Sequence, residues 1–140
     1  MKLYLSLFFF LIITNLFAQQ NNQDLTLSIS GYKDLKGTIF IAVYNSEQNY
    51  MNVSKASYLG ITKPAEGSTS YTFHNVPDGV YAVTIFYDEN GNGTLDTNTF
   101  GIPKEQNAFS NNVRGLFGPP KFDKSKFTHR GKQEISIVLK

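Results

Sequence analysis

Cysteine is absent from this 140-residue chain, and each thing that absence excludes narrows the reading. No disulfide can form, so stability must come from a packed core or a bound metal. No thiol nucleophile exists, and an acyl anchor through an N-terminal cysteine is excluded. Tryptophan is missing as well, and His74 and His129 are the only histidines, at a spacing that asks for no metal. No serine stands in a Gly-x-Ser-x-Gly elbow. An excess of one charge is lacking too. The formal net charge of +2 gives no electrostatic footprint for nucleic acid or an anionic membrane. There are no internal repeats, no low-complexity tracts and no segment of sustained helical period.

The N-terminus reads as a targeting segment. Met1-Lys2 is a short positive start, residues 3–14 are almost wholly apolar, and Leu16-Phe17-Ala18 leads into the polar run Gln19-Gln20-Asn21-Asn22. That is the layout of a secretory signal peptide cut after Ala18. The apolar stretch is shorter than the ~20 residues a membrane span needs, and Thr14 and Asn15 break it. The expectation is an exported protein, periplasmic or extracellular, with no stable membrane insertion once residues 1–18 are removed. Taking 18 residues from 140 leaves 122, the size of one domain over residues 19–140.

The dominant period in that domain is two. Leu25, Leu27 and Ile29 alternate with Thr26, Ser28 and Ser30, and Ile39, Ile41 and Val43 alternate with Phe40, Ala42 and Tyr44. Tyr71 with Phe73 and Ile135 with Ile137 and Leu139 repeat the pattern, and Tyr58-Leu59-Gly60-Ile61 is a weaker strand. Tyr81, Val83 and Ile85 are backed by Ala82, Thr84 and Phe86. That strand is apolar on both faces and belongs in the middle of a sheet. Turns are marked at Asp34-Leu35-Lys36-Gly37 and Pro77-Asp78-Gly79. The fold class is all-β: one sandwich of about seven to eight antiparallel strands. The stretch Phe73 to Tyr81 resembles the strand entry of transthyretin-like and other immunoglobulin-like modules, which implies a sandwich of that kind. Residues 45–57 have room for a single helical turn. Residues 100–130 break the rhythm with glycine and proline, but Phe109, Phe117, Phe122 and Phe127 suggest that the insertion folds back onto the sandwich.

The stretch Asp88-Glu89-Asn90-Gly91-Asn92-Gly93-Thr94-Leu95-Asp96 carries the clearest chemistry. Oxygen side chains recur at Asp88, Asn90 and Asn92, a glycine follows at Gly93, and Thr94 offers a carbonyl before Asp96. This is the alternate spacing of a loop that wraps a hard cation, and calcium is the expected cofactor. Thr99 stands where such loops carry a bidentate glutamate, which implies weak binding, on the order of 10⁻⁴–10⁻³ M. The plain alternative is a turn, since Asn90-Gly91 and Asn92-Gly93 are both turn dipeptides. Arg114, Glu105 and Asn112 are candidate ligand contacts. Arg114 suits a carboxylate or a sugar ring, and its structural alternative is an ion pair with Asp96 or Glu105. No catalytic residue is assigned.

Several motifs in series resemble the bacterial domain-of-unknown-function 2141 family. They are Gly37-Thr38-Ile39-Phe40-Ile41-Ala42-Val43-Tyr44, Val76-Pro77-Asp78-Gly79-Val80-Tyr81-Ala82-Val83, the Asp88 loop, Gly101-Ile102-Pro103-Lys104-Glu105, Phe109-Ser110-Asn111-Asn112 and Phe117-Gly118-Pro119-Pro120. The resemblance implies an exported sandwich domain without an established activity. The expected function is therefore a non-catalytic envelope module binding a protein or glycan through residues 100–130. Exposed aromatics there favour a contact surface, and burial of all four phenylalanines favours a scaffold. The alternative is a small metal-dependent hydrolase or lyase near the 88–114 loops, with a vacant metal position beside Glu105, Arg114 or His129.

Overall fold

The computed structural model describes residues 23–140, so the N-terminal apolar segment and its cut after Ala18 lie outside the described residues. Two sheets face each other. The first is built from β1 (Leu25–Ser30), β4 (Ser68–Phe73) and β8 (Gln133–Val138), in the order β4-β1-β8. The second contains β2 (Thr38–Tyr44), β3 (Tyr58–Thr62), β5 (Gly79–Asp88) and β6 (Asn107–Phe109), in the order β3-β2-β5-β6. The short β7 (Phe127–His129) pairs with the opening residues of β5. The fold is an all-β sandwich of eight strands. Every pairing is antiparallel except β1 with β8, which run parallel with Leu27 beside Ile135 and Ile29 beside Ile137.

The period-two residues meet between the sheets. Leu25, Leu27 and Ile29 are fully buried from one side, and Ile39, Ile41, Val43, Val83, Ile85 and Tyr87 from the other. β5 lies between β2 and β6, where its two apolar faces place it. Its inner face fills the core. Its outer face stacks Phe86 on Phe40, with ring centroids 4.9 Å apart and planes within 6°. A cross-strand aromatic pair of this kind holds register on a face that would otherwise be open to water.

Residues 45–57 form two single 3-10 turns, at Glu47–Asn49 and Val53–Lys55. The 100–130 segment is more ordered than its composition suggests, because it contributes β6, β7 and one helical turn, α1 (Phe122–Ser125). Three of its four phenylalanines do fold back. Phe109 lies in β6, Phe127 packs on the core, and Phe122 meets Tyr50 edge-on at 5.6 Å. Phe117 does not fold back and stands in solvent. Ser110, fully buried, ties this segment to the sheet. Its hydroxyl accepts the Val83 N–H at 2.9 Å and donates to the Ser125 carbonyl at 2.5 Å. Among the described residues, no helix is long and apolar enough to cross a membrane.

Candidate functional site

β5 ends at Asp88, and the chain turns there because the carboxylate gathers the backbone that follows. Asp88 Oδ1 accepts the Gly91 N–H at 2.7 Å and Oδ2 accepts the Gly93 N–H at 2.9 Å. Both glycines sit at positive φ, +79° and +76°, where a side chain would be strained. Asn90 Oδ1 then accepts the Asn92 N–H, and Asn92 Oδ1 accepts the Thr94 N–H and the Thr94 hydroxyl. The amides point the other way. Asn90 Nδ2 donates to Asp96 Oδ2 at 2.6 Å, and Asn92 Nδ2 donates to Asp96 Oδ1 at 3.0 Å. The structure thus brings Asp88, Asn90, Asn92, Thr94 and Asp96 into one loop closed by its own hydrogen bonds. Two side-chain amides donate to the Asp96 oxygens, which keep their charge. Among the described residues, no three His, Cys, Asp or Glu side chains converge as a metal-holding group.

Glu105 closes the loop from outside. It is only 7% exposed. Its Oε1 accepts the Glu89 N–H at 2.9 Å and its Oε2 accepts the Asp96 N–H at 3.0 Å, so one carboxylate clasps both ends of the loop. The Lys104 N–H adds a bond to the Asp96 carbonyl at 2.8 Å, and Glu89 pairs with Lys33 at 3.1 Å. Glu105 is therefore a positioning residue with both oxygens engaged. Asn112 is likewise occupied. Its Nδ2 donates to the Ser136 carbonyl and its Oδ1 accepts the Val138 N–H, so the side-chain amide completes the outer edge of β8 as a neighbouring strand would.

Arg114 is placed differently from its expected partners. Asp96 and Glu105 are engaged elsewhere, and among the described residues Arg114 enters none of the three ion pairs. It lies on the wall of an open concavity of about 1080 Å³ over the outer face of β5 and β6. His129, which reads as a turn residue in sequence, is fully buried at the end of β7. Its ring nitrogens lie 3.2 Å from the Gln133 Oε1 and the Val76 carbonyl. β7 pairs with the start of β5, whereas Glu105 clasps the residue after its end. The structure therefore does not bring His129 and Glu105 together.

The rim of the concavity carries Phe117 together with Phe100, Ile102 and Leu116, to which the sequence alone assigned no role. A single antiparallel bridge pairs Thr97 with Pro103. Between them Asn98 Oδ1 accepts the Phe100 and Ile102 N–H groups, and Gly101 takes φ +76°. This tight hairpin holds Phe100 87% exposed and Ile102 60% exposed. Across the opening, Gly115 packs so closely on the Gly118 carbonyl that no side chain fits there. That second turn leaves Leu116 and Phe117 essentially fully exposed. The readable signal was apolar pairs set among glycines, in Phe100-Gly101-Ile102 and Gly115-Leu116-Phe117-Gly118.

Fold and site together define a small all-β sandwich domain that presents two apolar loop tips beside a hydrogen-bonded Asp/Asn loop. The chain belongs to the domain-of-unknown-function 2141 family, described as an uncharacterized protein conserved in bacteria, and matches it over residues 27–137. Searches of curated proteins and of solved structures return no match.

Proposed function

We propose that this is an exported, non-catalytic docking module whose contact surface is the pair of loop tips at 100–102 and 116–117. The observation that carries the reading is the exposure of four large apolar side chains on two turns that bonding and glycine geometry hold open. Exposed apolar groups of this size, clustered at one place, mark interaction sites on soluble domains. Both tips border one concavity with Phe86 and Phe109 in its floor, so a single partner can touch them together. The exposed tips themselves, Phe100, Ile102, Leu116 and Phe117, carry no polar side-chain atom, which favours an apolar partner surface over a glycan. The non-catalytic reading is supported by the engagement of Glu105 and His129 in structural bonds.

A photo-reactive phenylalanine analogue placed in turn at positions 117, 100 and 53, in bacteria expressing the protein, tests this. Adducts are expected at 117 and at 100 but not at the exposed control position Val53. Labelling no stronger than at Val53 overturns the docking surface.

We also propose that calcium binds weakly at residues 88–96 and braces the neighbouring 97–103 hairpin. The alternate oxygens at Asp88, Asn90 and Asn92 support this, and so does the Asp88 carboxylate that already folds the backbone around them. Saturation at 100 times the dissociation constant adds about 2.7 kcal/mol to stability. Calcium is therefore expected to raise the melting temperature relative to chelator, and Asp88→Ala to abolish the rise. Superimposable melts with and without calcium refute this.

A further inference from the structure

The near-neutral total conceals a division of charge along the chain. Residues 23–96 hold four Lys and Arg against eight Asp and Glu, a net −4, whereas residues 97–140 hold eight against three, a net +5. The second group includes both apolar loop tips. Lys104, Arg114 and Lys140 line the concavity between them, and the only acid in that lining is Glu105, buried and bonded to two backbone N–H groups. The acids of the adjoining loop are also engaged. Asp88 is held by Gly91 and Gly93, Asp96 by two asparagine amides, and Glu89 by Lys33. The near-neutral total therefore does not describe this face, where three cations stand beside one engaged acid.

The geometry points to an anionic lipid surface as the partner of this face. This rests on the docking reading above and gives it a chemistry. The tips project from the rim of the concavity, since Phe117, Leu116 and Phe100 have little of their surface covered. A protein partner would have to supply a fitted cavity for each tip. A lipid interface accepts projecting aromatic and aliphatic side chains without one, and Phe and Leu enter the boundary between headgroups and acyl chains. Cationic side chains beside the tips then meet anionic headgroups, so apolar insertion and charge act at the same place. Rigid turns also suit this role, because the side chains are already displayed and need no ordering on contact. The interaction is peripheral and reversible, with two or three side chains entering the interface and the sandwich remaining in water.

Flotation with phospholipid vesicles tests the inference, using protein purified from bacteria after its natural processing. Binding is expected to vesicles that contain about a third phosphatidylglycerol and to be much weaker with phosphatidylcholine alone. Replacing Phe100 and Phe117 with serine lowers partitioning about tenfold for each ring removed from the interface. Lys104→Gln and Arg114→Gln each lower it about fivefold. Raising salt from about 0.1 M to about 1 M shortens the screening length from ~10 Å to ~3 Å and releases the protein. All four positions are exposed, so unchanged circular dichroism and melting confirm that the variants are folded. Failure of the parent protein to float with anionic vesicles overturns the lipid assignment, and so does flotation that the Phe100 and Phe117 changes leave unmoved. If cross-linking at position 117 nevertheless captures a protein, the docking surface stands and only its lipid chemistry falls. If both experiments fail, the docking reading falls too.

Discussion

Glu105→Ala is expected to cost roughly 2–4 kcal/mol of folding stability, an effect usually reserved for core truncations. The reason is the double clasp. Each carboxylate oxygen takes a backbone N–H from a different end of the 88–96 loop, at 2.9 and 3.0 Å, in a site almost closed to water. Hydrogen bonds to a charged group contribute about 1.5–3 kcal/mol each, and removing the acceptor leaves two donors without partners. Glu105→Gln keeps the shape but offers one acceptor oxygen, so one N–H must face an amide NH₂. A smaller loss, about 1–2 kcal/mol, is expected there. Urea denaturation of the three proteins gives the numbers. If Glu105→Ala stays within about 0.5 kcal/mol of the parent, the clasp is not what holds the loop. Hydrogen exchange at Glu89 and Asp96 should quicken together in the alanine variant, since one side chain protects both.

Gly37→Ala is expected to be comparably damaging, for a reason of space rather than backbone freedom. Gly37 is absent from the positive-φ residues, so its conformation alone would admit alanine. A β-carbon there, however, would run into the Tyr87 ring and lie 2.6 Å from the Asp88 carbonyl oxygen. The ring has nowhere to move. It is fully buried, and its hydroxyl accepts the Gly37 N–H at 2.8 Å while donating to Asp34. Burial pushes the Tyr87 hydroxyl above its ordinary range, and the bond it donates holds the Asp34 carboxyl below its own. Overpacking typically costs 1–3 kcal/mol, and the lost bond adds about 1 more, so roughly 2–4 kcal/mol is expected. Tyr87→Phe alone should cost about 1 kcal/mol. Combining Gly37→Ala with a truncation of Tyr87 should cost less than the two single losses added, because the clash disappears with the ring. Strict additivity would show that the two residues do not interact in this way.

Much of the scaffold was legible because burial on one face writes a period of two into five or more residues. β1, β2, β5 and β8 all have that length, and the two apolar sides of β5 fixed its central place. β6 and β7 are three residues each, too short to show any period, so the 100–130 segment read as irregular. His129 was misplaced for the same reason. Thr-His-Arg-Gly looks like a turn, yet its histidine ends a short strand and is buried by residues far away in the chain. At the site, the local spacing from Asp88 to Asp96 was readable because its bonds span two to six residues. The role of Glu105 was not, because its partners lie nine and sixteen residues upstream. Total charge did not reveal the three cations that line the concavity, since a sum erases position.

The parallel pairing of the first described strand with the last has a consequence for when the domain can form. β1 sits in the middle of its sheet, and one of its two neighbours is supplied by residues 133–138. A chain emerging N-terminus first, from a ribosome or through a membrane pore, cannot finish that sheet until residues 133–138 are free. Until then one edge of β1 is bare and Ile137 and Leu139 are missing from the core around Leu27 and Ile29. Contacts that join the far ends of a chain form slowly, because a long loop must close before they reward it. Folding here is therefore gated by the arrival of β8, and proteases or chaperones meet an open half-sandwich before they meet the finished one.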